Sequence, residues 1–277
     1  MTMAPQDYFP QIAEWVNQLD ETFPGAWIKP YFAQWEVVHL LSLALLGGAS
    51  LLLNLRLIGV GLTDESPSDV RRSVLPWLNL GVIGILVTGV LIGTSNPERL
   101  YTSEAFTAKM LGLAAALILT YGVSLPAAKN EGRLGPGAAV AAAVGLAVFG
   151  LCIGVFGIAK LVNPGLWHVI TAAALLVLFV TRGLTRIIYL GALLALMATH
   201  LAIHQVIYKP DDYAHLDPAN KIMILVYLAL ILAAAGVQIV SSGRGPHGAG
   251  PAAKALAYVA ILVWVATAAA GRWIAFA

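Results

Sequence analysis

The sequence predicts an all-α polytopic membrane protein, a helical bundle with eight transmembrane helices. Hydrophobic residues make up 59% of the chain and charged residues only 11%, whereas globular domains average about 45–50% and ~25%. Eight apolar segments are close to the roughly 20 residues that a helix needs to cross ~30 Å of hydrocarbon. The net charge is +2 and no basic cluster accompanies it, so nucleic-acid binding is not expected.

The predicted spans are separated by short joints that contain Pro, Gly, Asn or Asp. They cover residues 35–60, 74–94, 105–126, 138–160, 164–181, 185–207, 221–241 and 253–275. The fourth joint, Asn163-Pro164-Gly165, is short enough to make spans four and five an antiparallel pair. Ahead of the first span, Tyr8, Ile12 and Trp15 fall on one helical stripe among acidic and amide residues. This pattern predicts a short interfacial helix in residues 1–34.

The positions of Lys and Arg predict the orientation, because cytoplasmic loops retain these residues. With the N-terminus outside, nine of the 16 Lys and Arg residues fall on the cytoplasmic side, and ten of the 14 acidic residues fall on the other. We therefore predict a multi-pass protein of a bacterial inner (cytoplasmic) membrane, surrounded by lipid, with both termini extracytoplasmic.

Similarities between the second and sixth spans predict an internal repeat. Leu80-Gly81 and Leu190-Gly191 begin these spans alike, and Lys109 and Lys221 open the spans that follow. The alternative is that apolar helices and their loops look alike by chance. With an even number of spans in each half, both halves point the same way, so a site between them would lie about an axis along the membrane normal. The predicted parts are residues 1–34, a first four-helix half at 35–160 and a second at 161–277.

Four of the six histidines are predicted to lie in the outer half of the bilayer. His39 and His168 are near the outer ends of the first and fifth spans, and His200 and His204 are near the outer end of the sixth. Ionisable groups within spans are costly, so they mark candidate functional sites. His200 and His204 project from one helix face, because they are four residues apart. Such imidazoles can bind haem iron or another metal ion; the alternative is interfacial histidines bonded to backbone carbonyls or water.

Sulfur and ammonium groups extend this candidate site. Met197 lies one turn from the first of the paired histidines, and a thioether with imidazole suits copper or cytochrome iron, although methionine also fills gaps in apolar cores. Lys109 and Lys221 could pair with a haem propionate, a quinone oxygen or a lipid phosphate. Alternatively, the two lysine side chains could simply extend so that their ammonium groups lie in water at the membrane surface. Gln205 is the one further polar residue in a span that we consider for the site.

The first three spans also resemble a known family. The residues that carry the resemblance are Trp35-Glu36-Val37-Val38-His39, Leu55-Arg56-Leu57-Ile58-Gly59, Leu75-Pro76-Trp77, Thr88-Gly89, Phe106 and Lys109. Over about residues 35–126 the chain resembles an uncharacterised bacterial inner-membrane family that is distantly similar to copper-resistance D-type proteins. The resemblance implies a helical bundle with His39 and Lys109 as the family-type polar positions, and it supplies no established activity.

The sequence leaves three functions open, and no motif in it indicates an autonomous enzyme. The first is a membrane electron-transfer subunit that binds b-type haem and exchanges electrons with a quinone or an extracytoplasmic redox protein. The second is a copper or small-solute transporter that uses the same His and Met layer. The third is a non-catalytic anchor subunit of a larger membrane complex. The candidate haem and metal ligands are His39, His168, His200 and His204, joined for a metal by Met197 and for a cofactor by Lys109 and Lys221.

Overall fold

A computed structural model of the chain describes residues 3–158, 163–209, 212–241 and 248–276. Every regular element within these ranges is helical. Helical stretches that are long and apolar enough to cross a membrane number seven in the described residues: Gly25–Ile58, Pro67–Ser95, Glu104–Lys129, Pro136–Gly157, Gly183–Ile207, Ala214–Ser241 and Pro251–Trp273. The predicted class, a multi-pass all-helical membrane protein, agrees with these helices.

The long helices are labelled here in chain order. They are α1 Phe32–Ile58, α2 Pro67–Ser95, α3 Glu104–Leu119, α4 Pro136–Ile158, α5 Asn163–Val180, α6 Gly183–Ala202, α7 Tyr213–Ser241 and α8 Pro251–Trp273. Helix α3 continues through the π-helical turn Thr120–Ser124 into Leu125–Lys129, and α6 continues through the π-helical turn Ile203–Ile207. Short helical turns occupy Pro5–Tyr8, Pro10–Ile12, Ala13–Asn17, Gly25–Ile28, Lys29–Tyr31, Pro97–Tyr101 and Ile274–Phe276.

Helix α5 differs from the others in the length of its apolar part. Its apolar stretch, Leu166–Val180, is shorter than a full span. Fifteen residues at ~1.5 Å each cover about 22 Å, against ~30 Å of hydrocarbon. The described residues therefore contain seven candidate spans where eight are predicted, and the internal repeat remains a prediction.

Local sequence explains where several helices begin and end. Ser66 caps α2, because its Oγ accepts the backbone N–H of Asp69 at 3.1 Å, and Pro67 follows in the first turn, where no N–H is needed. Ser103 caps α3 in the same way. At the other end of α1, Gly59 takes a left-handed φ of 94°, which favours glycine and ends the helix.

The helices pack as two compact units. Unit 1 comprises Met1–Leu166 and Arg244–Ala277, and unit 2 comprises Trp167–Gly243. In unit 1, α8 packs against α3 and α1, α1 runs along α2, and α3 runs along α4. In unit 2, α6 packs against α7. Packing thus groups the last helix with the first four, whereas the predicted second half places it with α5, α6 and α7.

Glycines let neighbouring helices of unit 1 approach closely. A Cβ atom at Gly81 of α2 would lie 2.7 Å from the backbone nitrogen of Leu46 on α1 and 2.9 Å from its Cα. A Cβ atom at Gly112 of α3 would lie 2.6 Å from the Thr267 hydroxyl on α8 and 3.2 Å from the sulfur of Cys152 on α4. Glycine at these two positions therefore allows α2 to pack closely against α1, and α3 to pack closely against α8 and α4.

A buried polar network joins three segments of unit 1 around the π-helical turn Thr120–Ser124. Asn54 Nδ2 donates to the Ser50 carbonyl at 2.8 Å, and Ser124 Oγ donates to Asn54 Oδ1 at 2.8 Å. Trp264 Nε1 donates to Thr120 Oγ1 at 3.1 Å. Polar groups inside a membrane bundle need internal partners, because hydrocarbon offers none. The turn thus connects the helix that contains it to α1 on one side and to α8 on the other.

Candidate functional site

The first candidate site is a cavity inside unit 1, which we call the His39 cavity. It lies between the ends of α1, α2, α3 and α8 and has a volume of 240 Å³. Apolar side chains such as Leu40, Leu43, Ile85, Ile92 and Phe106 form much of its wall. Its ionisable and amide side chains are Glu36, His39, Asn96, Arg99, Lys109 and Arg272.

Hydrogen bonds to Thr88 fix the tautomer of neutral His39. Thr88 Oγ1 donates its single proton to the Gly84 carbonyl at 2.6 Å, and His39 Nδ1 lies 2.7 Å from the same Oγ1. Because a hydroxyl has only one proton to donate, Nδ1 must carry the proton of this bond. In a neutral ring Nε2 then holds the lone pair. His39 therefore lines the cavity with Nε2 as its remaining acceptor.

Replacing Thr88 with valine removes the acceptor of this bond and keeps the side-chain shape nearly constant. We expect neutral His39 to change from a single Nδ1-protonated tautomer to a mixture of both tautomers. Nitrogen NMR of protein labelled with ¹⁵N-histidine measures this change, and a His39→Gln sample assigns the signals. The control is Thr94→Val on the same helix, whose hydroxyl bonds only to the Leu91 carbonyl. Identical imidazole signals in Thr88→Val and wild type would contradict the assigned bond.

The cationic side chains of the cavity differ in what they bind. Arg99 donates through Nε to the Ile274 carbonyl at 3.0 Å and through Nη2 to the Ala275 carbonyl. Its positive charge therefore stabilises the carbonyl groups at the C-terminal end of α8. Lys109 is partly buried, and no hydrogen bond or ion pair joins it to any residue that the structure describes. Its stem packs toward Gly271, where a Cβ atom would lie 3.5 Å from the lysine Cε. The Lys109 ammonium is therefore a donor that a ligand in this cavity could use.

The structure thus brings together two residues that the sequence predicts as site residues, His39 on α1 and Lys109 on α3. Sequence reasoning did not assign Thr88, Arg99 or Arg272 to the site. In the sequence, Thr88 belongs only to the family resemblance, and the two arginines belong to the seven Lys and Arg residues that the predicted orientation places outside the cytoplasm. Nothing in the linear spacing of these residues shows that they meet.

The second candidate site lies within unit 2, and we call it the His200 cavity. It is a cleft of 580 Å³. Its walls include four residues that the sequence predicts as candidates, Met197, His200, His204 and Gln205. They also include three residues that it does not, Trp167, Asn220 and Tyr227.

The two imidazoles of the His200 cavity converge on one amide. His200 Nε2 lies 3.1 Å and His204 Nε2 lies 2.7 Å from Asn220 Oδ1 on α7. Trp167 supports this arrangement, because its ring centre is 4.8 Å from that of His200 and 5.5 Å from that of Tyr227. With Oδ1 as the acceptor, both Nε2 atoms carry protons. A metal ion at the same point would have to displace these protons and the amide oxygen.

The remaining predicted site residues lie outside both cavities. His168 and Lys221 are exposed, and neither lines the His39 cavity or the His200 cavity. In the described parts of the chain, no group of three or more His, Cys, Asp or Glu side chains is arranged to hold a metal ion. The predicted haem and metal ligands therefore remain predictions.

Comparison with known proteins gives one match. Residues 15–137 match a family of unknown function (DUF6644). The matched segment contains α1, α2 and α3 and therefore includes His39, Thr88 and Lys109, but not α8 or unit 2. No curated protein and no solved structure matches the chain. Similarity to copper-resistance D-type proteins and a bacterial origin remain predictions from the sequence.

Proposed function

We propose that the protein is a membrane electron-transfer subunit that binds a quinone in the His39 cavity. One observation carries this proposal: His39 and Lys109 line the same small apolar cavity, and there the acceptor His39 Nε2 and the donor Lys109 Nζ have no hydrogen-bond partner among the described residues. A quinone carbonyl needs a donor, and a quinol hydroxyl needs an acceptor. The Lys109 ammonium and the lone pair of His39 Nε2 supply this pair.

The size of the cavity favours a single ring over a porphyrin. A cavity of roughly 150 Å³ accommodates benzene, and the His39 cavity has 240 Å³. This volume suits one substituted six-membered ring, whereas the four pyrrole rings of haem would require the walls to move. b-type haem is the alternative occupant. In that case His39 Nε2 would be an axial ligand, and Lys109 would pair with a propionate.

The exposed side of α1 gives a lipid-soluble ligand a route into the cavity. Val37 and Leu41 are 55% and 66% exposed, so this part of α1 presents an apolar surface that suits lipid. Leu40 is 54% exposed and also lines the cavity. The Leu40 side chain therefore contacts both the cavity and the apolar exterior. A quinone ring could enter sideways from the membrane while its tail stays in the lipid.

Quinol oxidation in this cavity would release two protons and two electrons. His39 Nε2 would accept the proton of one quinol hydroxyl, because Nδ1 is already protonated toward Thr88. The second proton would pass to water on the extracytoplasmic side. The electrons would pass to a b-type haem or an extracytoplasmic redox protein, the partners that the sequence predicts. The proposal includes the predicted setting, a bacterial inner membrane with both termini and the His39 cavity on the extracytoplasmic side.

Equilibrium dialysis of the purified protein against a short-chain ubiquinone tests the proposal. We expect one saturable site per chain. Lys109→Met should weaken binding about tenfold or more, because hydrogen bonds to charged groups contribute ~1.5–3 kcal/mol, and His39→Phe should weaken it roughly two- to tenfold, because neutral hydrogen bonds contribute ~0.5–1.5 kcal/mol. The matched controls are His168→Phe and Lys221→Met, which remove the same groups from exposed positions outside the cavity.

Two outcomes would contradict the quinone proposal. One is ubiquinone binding that does not saturate or does not change in Lys109→Met. The other is a Soret band that shifts on dithionite reduction and disappears in His39→Phe, since haem would then occupy the cavity instead.

A copper-handling transporter is the second candidate function. The observation that favours it is the convergence of His200 Nε2 and His204 Nε2 on a single atom, with Met197 lining the same cleft. Imidazole and thioether ligands suit Cu(I). Stoichiometric Cu(I) binding that is lost in His200→Ala and kept in His168→Ala would support it, and no copper retention in the wild-type protein would exclude it.

A further inference from the structure

A third cavity, also within unit 1, is lined by two cationic side chains and no acidic one. We call it the Arg71 cavity. It has a volume of 420 Å³, and its polar wall consists of Arg71, Asn79, Tyr121, Lys129 and Asn130. The lining of the Arg71 cavity therefore carries two positive charges and no negative one, whereas the lining of the His39 cavity includes the acidic residue Glu36 as well as cationic residues. This charge selects for an anion.

The Arg71 cavity lies at the opposite helix ends from the His39 cavity. Arg71 is in the second turn of α2, and Lys129 is the last residue of the span that begins with α3. Four residues at ~1.5 Å place Arg71 about 6 Å from the start of its helix. Since both helices are long enough to cross a membrane, these two cations lie near the depth of lipid head groups.

The Arg71 side chain lacks an acceptor. Its Nε is buried and has no hydrogen-bond partner. One amide oxygen of the lining, Asn79 Oδ1, already accepts the Tyr121 hydroxyl at 2.7 Å. By contrast, the neighbouring Arg72 lies 3.5 Å from an oxygen of Asp69. No ion pair joins Arg71 or Lys129 to any residue within the described ranges. A buried donor left without an acceptor is costly, so the site is incomplete until an acceptor arrives.

We propose that the Arg71 cavity binds a phosphate group, specifically the head-group phosphate of an anionic phospholipid. A phosphate offers several acceptor oxygens to the planar guanidinium and a charge partner to the lysine. Basic pockets between transmembrane helices bind anionic head groups in this way. The apolar remainder of the wall, which includes Leu75 and Leu125, suits the glycerol backbone and the upper acyl chains. The site is separate from the quinone proposal, because it uses the other end of the helices.

Native mass spectrometry of the full chain in detergent tests this site with two probes, phosphatidylglycerol and phosphatidylcholine. We expect the wild-type protein to retain phosphatidylglycerol in preference to phosphatidylcholine. Arg71→Gln and Lys129→Gln should each reduce the affinity for phosphatidylglycerol about fivefold, the effect of one cation near a membrane surface. The matched control is Arg72→Gln, which removes an equal charge from an exposed neighbour that does not line the cavity. Lys129 is exposed, so its replacement tests binding even if Arg71→Gln does not fold.

A titration with inorganic phosphate distinguishes the two sources of the same group. If phosphate alone raises the melting temperature of the wild-type protein but not of Lys129→Gln, and the two lipids are retained equally, the ligand is free phosphate and the lipid assignment is overturned. Retention of phosphatidylglycerol that is the same in the wild type, Arg71→Gln and Lys129→Gln, with no response to phosphate, overturns the site itself. Loss of phosphatidylglycerol in both variants and retention in Arg72→Gln supports the lipid.

Discussion

The Gly81→Ala variant is expected to unfold well below the melting temperature of the wild-type protein. The new methyl group would lie 2.7 Å from the backbone nitrogen of Leu46 and 2.9 Å from its Cα. Backbone atoms cannot rotate away as a flexible side chain can, so α1 and α2 must move apart. Overpacking of this kind costs about 1–3 kcal/mol and occasionally more. Thermal unfolding in a mild detergent, followed by circular dichroism, measures the change.

Gly48→Ala on the facing helix is the matched control for this prediction. A Cβ atom there would meet nothing within 4 Å, and replacing a mid-helix glycine with alanine favours the helix by roughly 0.5–1 kcal/mol. The two identical substitutions should therefore shift the melting temperature in opposite directions. A Gly81→Ala protein that is as stable as Gly48→Ala would mean that α1 and α2 do not pack as closely as described.

Replacing Asn54 with aspartate is expected to destabilise unit 1 strongly, although the two side chains are nearly equal in size. Asn54 is fully buried, and its Nδ2 donates to the Ser50 carbonyl at 2.8 Å. Aspartate would place a carboxylate oxygen against that carbonyl and would bury a charge without a cationic partner in the network. The penalty for burying an unpaired ion is several kcal/mol. SDS-induced unfolding at neutral pH should show a loss of roughly 3 kcal/mol or more.

Asn130→Asp introduces the same charge at an exposed position just beyond the end of the third span and serves as the control. Asn130 lines the Arg71 cavity together with Arg71 and Lys129, so a carboxylate there would have cations nearby. We expect its effect on unfolding to be small. Equal losses in both variants would mean that the Asn54 network contributes nothing specific.

The positions of the long helices could be predicted from the sequence, because each helix needs about 20 mainly apolar residues to cross the hydrocarbon. Ser66, Pro67 and Gly59 illustrate how local chemistry then sets the ends. The packing of α8 against α3 and α1 could not be predicted in this way. Apolar helices have few features that distinguish their partners, and the fit of a small residue such as Gly112 against Thr267 becomes visible only in three dimensions.

Candidate site residues were predictable where chemistry and helical spacing coincide. The sequence predicts His200 and His204 as a pair on one helix face, and both contact the same amide. It does not predict Asn220, because an amide on another helix has no spacing relation to them. The bond between His39 and Thr88 is a second example, since 49 residues separate the partners. The sequence also predicts His168 and Lys221 as site residues, but neither of them lines the His39 cavity or the His200 cavity.

The π-helical turns Thr120–Ser124 and Ile203–Ile207 have a consequence for counting along these helices. A π turn widens the helix by about one residue relative to an α turn, and one residue corresponds to about 100° of rotation at 3.6 residues per turn. A helical wheel that starts at the first residue of α3 and assumes 3.6 residues per turn is therefore out of phase beyond Ser124. The angular position that it gives Lys129 is wrong by about 100°. In alignments with related chains, a single-residue gap inside either turn would preserve every neighbouring face, whereas the same gap elsewhere in these helices would rotate the remainder of the helix.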